Sequence, residues 1–217
     1  INDSKYENII SQSSSIINIQ SEETEVYIYD SQFKNVIYPF EISSKDAKFH
    51  CKNCIISDIK RDLAKNKPTI AQNSGDSIMY FNDTEIYNVK TSPLFKAIES
   101  SRFYFNSVSI HDIDSLQNVG LFSILTSSSV VFDHSKIYNI KFRRVLDNAY
   151  FINFASSSSL TIKDTDIYDI DIDGDFIYIL SSSEDSTSLY IEDSTFRDFN
   201  IETGSIVKTA LNKVNIN

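Results

Sequence analysis

Apolar and hydroxyl side chains recur in this chain at gaps that alternate between two and three residues, and strands that simply double back do not keep such a rhythm. Val26, Ile28, Ser31, Phe33 and Val36 show it. Strand side chains alternate between faces, so residues pointing one way lie two apart. Val26 to Ile28 and Ser31 to Phe33 obey that rule. Ile28 to Ser31 and Phe33 to Val36 do not; each gap holds one extra residue, which swings the backbone round a corner. The second residue of each corner is Asp30 or Asn35. Asp and Asn tolerate a left-handed backbone better than most residues. The rhythm therefore predicts a chain that winds.

The same form returns along the whole length. Its positions are filled by Phe81, Thr84, Ile86 and Val89, then Phe105, Val108, Ile110 and Ile113, then Phe132, Ser135, Ile137 and Ile140. Ile162, Thr165, Ile167 and Ile170 follow, and Ile191, Ser194, Phe196 and Phe199 close the series. A Cys-bearing copy reads Cys51, Cys54, Ile56, Ile59, and a truncated first copy reads Ile1, Ser4, Tyr6, Ile9. The last anchors of successive copies are about 27 residues apart on average, inside the range of solenoid repeats. A further apolar stretch lies between copies, as in Leu121-Phe122-Ser123-Ile124, and Gly120, Gly174 and Gly204 stand before three such stretches.

These features predict an all-β, right-handed parallel β-helix with three short strands per coil and about eight coils. Two connections are sharp corners; the third is variable and carries Ser runs at 156–159 and 181–183. Parallel strands stack at about 4.8 Å, so the rod is roughly 40 Å long. A β-sandwich would not repeat one coil with the same corners, and a propeller needs about 40 residues per blade. Residues 1–217 are read as one β-helix segment. Val214 and Ile216 look like the start of a further coil, and neither Ile1 nor Asn217 carries a polar cap, so the segment is expected to belong to a longer solenoid.

Composition narrows the functional classes. The formal charge is −10, which argues against nucleic acid, because phosphate binding needs clustered Lys and Arg. No apolar run is long enough to cross a bilayer. Two Cys among 217 residues exclude a disulfide-dense scaffold.

Several residues are candidates for chemistry. An outward stripe includes Tyr27, Tyr80, Tyr104 and Tyr190, with His50 in the same series; a second runs through Tyr87, His111, Tyr138 and Tyr168. Such stripes stack on sugar rings or pack on a partner protein, although exposed tyrosine also simply suits a sheet surface. Cys51 and Cys54 both face the core, as buried thiols, as a disulfide across the corner, or as a zinc half-site. The Asp and Asn corners stack into two acidic ladders, whose repulsion Ca²⁺ or the interspersed Asn would relieve. Asn2-Asp3-Ser4 and Asn82-Asp83-Thr84 are N-glycosylation acceptor sequences. The Ser/Thr column points inward, where its role is to hydrogen-bond the bend.

The copies ending at Val36, Val89, Ile140, Ile170 and Phe199 resemble the coils of the pectin-lyase-like superfamily of parallel β-helices. Within it the chain is most similar to long repeat-bearing surface proteins of protists, ciliates especially. It is more distantly similar to the bacterial polymorphic outer-membrane repeats, whose usual Gly pair is reduced here to one Gly or none. Repetition without a unique polar constellation predicts a structural or adhesive solenoid, extracellular or at the cell surface, acting as a rod, filament or interaction scaffold without catalysis. Its partners would be proteins, other copies of itself, or glycans. The alternative is a polysaccharide-binding module or a lyase or hydrolase of that superfamily. Catalysis needs carboxylates in distinct environments, and these Asp sit in repeated, equivalent ones.

Overall fold

In a computed structural model the chain is a parallel β-solenoid, described over residues 1–9, 15–59, 68–90, 93–115, 120–142, 150–155, 157–180, 186–209 and 215–216. One coil shows the plan. Glu25–Tyr29 lies in the third sheet, Gln32–Lys34 in the first and Phe40–Ser43 in the second; Lys48–Lys52 then returns to the third, one layer on. Each of the three sheets stacks eight strands, all parallel and in sequential coil order. Six turns are stacked on both sides, and an end turn lies at either extreme. No helix occurs among the described residues.

The corners turn as the residue types require. Backbone φ is positive at Asp3, Asp30, Asn53, Asp83, Ser107, His134, Asp164 and Asp193 on the first corner. It is also positive at Asn8, Asn35, Asp58, Asn88, Asp112, Asn139, Asp169 and Asp198 on the second. The second corner differs from expectation in the later coils. Ser109–Ser115, Lys136–Phe142 and Asp166–Ile172 run through it as single strands, and pairing resumes beyond it, Ile113 with Ile140 and Ile140 with Ile170. One left-handed residue bends the strand like a bulge without ending its hydrogen-bonded ladder.

The connection from the second sheet to the third is also tight in most coils. Positive φ occurs there at Glu23, Asp46, Asp76, Ser100, Ser127 and Ser157. The exception is the longer link at 181–187, and the remaining variation in length falls between the first and second sheets. The Ser run at 181–183 lies outside the described residues, as does Val214. Asn215–Ile216 does pair with Ser188–Leu189, as the start of a further coil would.

Inward columns form one continuous core. Phe81, Phe105 and Phe132 stack on one another at 5.4 and 4.9 Å, and Phe95 meets Phe105 edge-on at 4.9 Å. All are buried. Gly204 has φ 121°, and a Cβ there would meet the Gly174 carbonyl oxygen at 2.4 Å. Only glycine fits such an approach between stacked turns.

The inward hydroxyls clasp neighbouring coils. Ser31, Thr84, Ser135, Thr165 and Ser194 each donate to the carbonyl two residues earlier, at 2.7–2.9 Å. The same oxygens accept from the coil before: Ser4 N–H donates to Ser31 Oγ, Val108 N–H to Ser135 Oγ, and Thr165 N–H to Ser194 Oγ. A second buried column, Ser77, Ser101, Ser128, Ser158 and Thr187, lines the tight turn before the third sheet. Its signal in the sequence is a hydroxyl two residues before Met79, Phe103, Val130, Leu160 and Leu189.

Candidate functional site

Parallel stacking in register sets each outward residue over its counterpart in the next coil, so a column of aromatics becomes a stack of rings. On the third sheet Tyr27, His50, Tyr80 and Tyr104 form such a stack, with centroids 4.5, 4.6 and 5.1 Å apart and planes within 13°. Tyr104 then meets Val131, and Thr161 separates Val131 from Tyr190. Three of the four stripe tyrosines are thus brought together, with His50 as the missing ring, while Tyr190 stands apart.

On the first sheet Tyr87, His111, Tyr138 and Tyr168 stack at 5.4, 4.7 and 5.0 Å. The Arg197 guanidinium caps Tyr168 at 4.1 Å. A third pair, Tyr150 and Tyr178, stacks on the second sheet at 5.4 Å. These are offset-stack distances. Ring faces are spent on one another, and what the ladders turn outward is ring edges and hydroxyls.

Charged groups tie the ladders down. His50 Nε2 lies 2.9 Å from Glu25, and His111 lies 3.1 Å from Glu85 and 2.9 Å from Asp112. The Tyr27 hydroxyl donates to Glu25; this bond first, and the His50 contact second, hold the Glu25 carboxyl below its ordinary range. The same bond pushes the Tyr27 hydroxyl up. Tyr190 is raised by its bond to Glu192, and Tyr80 and Tyr150 by burial.

The corner ladders show how like charges coexist at coil spacing. The Asn amide of one coil donates to the acid of the coil before: Asn53 to Asp30 at 2.9 Å, Asn88 to Asp58, and Asn139 to Asp112. Where two acids follow directly in the later coils, a cation sits beside them. Arg197 reaches Asp198 at 2.6 Å, and Lys163 is held charged by Glu192, then by Asp164 and Asp133.

One cluster was not singled out in the sequence as a metal site. Asp133, His134 and Asp164 bring ligand atoms within 4.8 Å of one another. It arises because His134 replaces the usual Asp or Asn at the first corner. His134 Nδ1 is 2.8 Å from Asp133 and Nε2 is 3.7 Å from Asp164. All three are solvent-accessible, and the imidazole already joins the two carboxylates.

Cys51 and Cys54 are joined as a disulfide across the first corner, Cα atoms 6.0 Å apart, and both are buried. Neither sulfur is left as a thiolate for zinc. Asn2 and Asn82 occupy one column on the third sheet's edge. Each precedes a left-handed Asp and a corner hydroxyl. Any Asn in that column followed by Ser or Thr at the corner reads as an acceptor sequence, so the two matches express corner chemistry. Thr84 is buried, with its hydroxyl on the Asn82 and Cys51 carbonyls.

No protein-family model, curated protein or solved structure matches the chain. Fold and surface together define a class, the parallel β-solenoids with three strands per coil. Among the described residues no helix is long and apolar enough to cross a membrane, which leaves strand-built spans unaddressed.

Proposed function

We propose that the chain is a structural or adhesive solenoid of the pectin-lyase-like type, working outside the cell or at its surface as a rod and interaction scaffold. The carrying observation is that its outward chemistry is columnar. The same positions repeat coil after coil, and the corner acids share one left-handed backbone geometry, with Asp30, Asp58 and Asp112 tied to an Asn of the next layer. Catalytic pairs work through environments that push two groups apart, whereas these columns equalise them. The Cys51–Cys54 bridge agrees with an oxidising compartment. Glycan binding by the stripe has less support, because a sugar stacks on an open ring face, and within the ladder Tyr80 spends both faces while Tyr27 and Tyr104 spend one each.

Antibodies against this segment should stain intact cells as strongly as permeabilised ones. Purified protein should neither bind nor cleave pectic and other acidic glycans, with or without Ca²⁺. Staining only after permeabilisation would remove the surface reading, and cleavage would replace the scaffold with an enzyme.

A further inference from the structure

Tyrosines stacked in consecutive layers are pairs of phenols held side by side, and oxidised phenols couple. Tyr80 lies in register with Tyr104, and Tyr138 with Tyr168. Their ring centroids are 5.1 and 5.0 Å apart, with planes 13° and 2° from parallel. All four rings are half-buried. Their outer edges bring the hydroxyl, and the ortho carbons beside it, to the surface. We propose that each pair is a site of oxidative cross-linking. A one-electron oxidant, of the kind a peroxidase makes from hydrogen peroxide, would join the two rings as dityrosine and staple one coil to the next. The supply of that oxidant rests on the reading of the rod as an extracellular or surface scaffold; the coupling rests on the stack.

The step balances without any further group. Each phenol gives one electron to the oxidant and its hydroxyl proton to water. The phenoxyl radical left behind shares its spin with the ortho carbons. Two such radicals form one carbon–carbon bond between ortho carbons. Each of those carbons then releases its hydrogen as a proton while the ring oxygen takes one up, which restores two phenols. The chain loses two hydrogen atoms, and one hydrogen peroxide is reduced to two waters.

The neighbours decide what each radical meets. The other face of Tyr138 lies on His111 at 4.7 Å, and that of Tyr168 under the Arg197 guanidinium at 4.1 Å. The other face of Tyr80 lies on His50 at 4.6 Å, and Tyr104 is followed by Val131. None of these groups gives up an electron as readily as a phenol does. Each tyrosine therefore has one partner in its stack that can couple. The hydroxyl ends are close as well: burial first, and Tyr104 second, push the Tyr80 hydroxyl up. Bond formation needs a tilt of the two outer edges towards each other, and those edges face solvent. Holding two reactants in place turns a chance encounter into a local step. Tyr87 stacks on His111, and Tyr190 has Thr161 as its counterpart in the coil before, so neither has a phenol there.

The purified 217-residue chain, treated with hydrogen peroxide and a haem peroxidase, should give a monomer lighter by two hydrogen atoms for each bond formed. Proteolysis should release one peptide that joins Tyr138 to Tyr168 and another that joins Tyr80 to Tyr104. The yield per chain should not change on dilution. Tyr138→Phe keeps the ring and its stack but has no phenolic hydrogen; it should remove the first peptide and leave the second, and Tyr104→Phe should do the reverse. The linked monomer should melt roughly 10 °C higher, because the bond restricts the unfolded chain. Links formed only between molecules, a yield that falls with dilution, or links through Tyr87 and Tyr190 as often as through the pairs would overturn the proposal. An unchanged melt would overturn the staple. None of these outcomes touches the surface reading, whereas staining confined to permeabilised cells would remove that reading and leave the coupling in the purified chain unchanged.

Discussion

The inner and outer columns of the third sheet share the same strands but obey different rules. Inside, Phe49, Met79, Phe103, Val130 and Leu160 follow one another with no polar residue, and all are buried. Outside, Tyr80 and Tyr104 give way to Val131 and Thr161, and strand pairing continues unbroken. Burying a polar group without a partner is costly, so this inner column stays apolar. The outer column contributes ring contacts that the ladder can lose and still stand. Continuity is compulsory inside and optional outside.

Neighbouring residues of one strand give the sharpest test. Phe105→Ala should cost about 3–5 kcal/mol in chemical denaturation, because it opens a cavity in the phenylalanine stack. Tyr104→Ala, one position away on the outer face, should cost under about 1.5 kcal/mol, the scale of a ring contact. Similar losses for the two would break the comparison.

The corners extend it to polar groups. Ser135→Ala strands the buried Val108 N–H and should cost about 2 kcal/mol in the same measurement. Asn139→Val places a branched side chain at φ 51° and should cost about 1–2 kcal/mol, while Asn139→Gly should retain most of the wild-type stability. If valine is tolerated there, the bend does not depend on the residue type.

The smallest expected effect lies in the acid limb of stability. Glu25 has its folded pKa depressed by the Tyr27 bond and the His50 contact. Its contribution is present above the ordinary carboxylate value and is lost as pH falls through the lowered one. Glu25→Gln should therefore reduce stability near neutral pH and match wild type in strong acid, as read by thermal melts across the acid range. An unchanged neutral-pH melt would mean that the outer contacts carry no measurable stability.

Much of this was open to reading in the residues. The two-and-three rhythm marked the first and second corners of the coil, including Ser107 and His134, where the residue type alone would not; the left-handed turn before the third sheet, as at Asp46 and Ser127, it did not mark. The Ser/Thr position announced the clasp between coils. The second hydroxyl column was missed because it precedes the motif by two residues and lacks a distinctive neighbour. The stripe, His50 included, was visible as a column of side chains; its conversion into stacked rings that leave Tyr190 out was not.

The sequence by itself determined the winding, the inward columns and the left-handed corners, because strand alternation and the tolerance of Asp and Asn for positive φ act within a few residues. Tertiary structure alone decided the register between coils. Register placed Asn amides on the acids of the layer before, ring faces against ring faces, and His134 within reach of Asp164. Contacts between residues some 27 positions apart depend on how variable connections are absorbed from coil to coil, and no local pattern of residues encodes that.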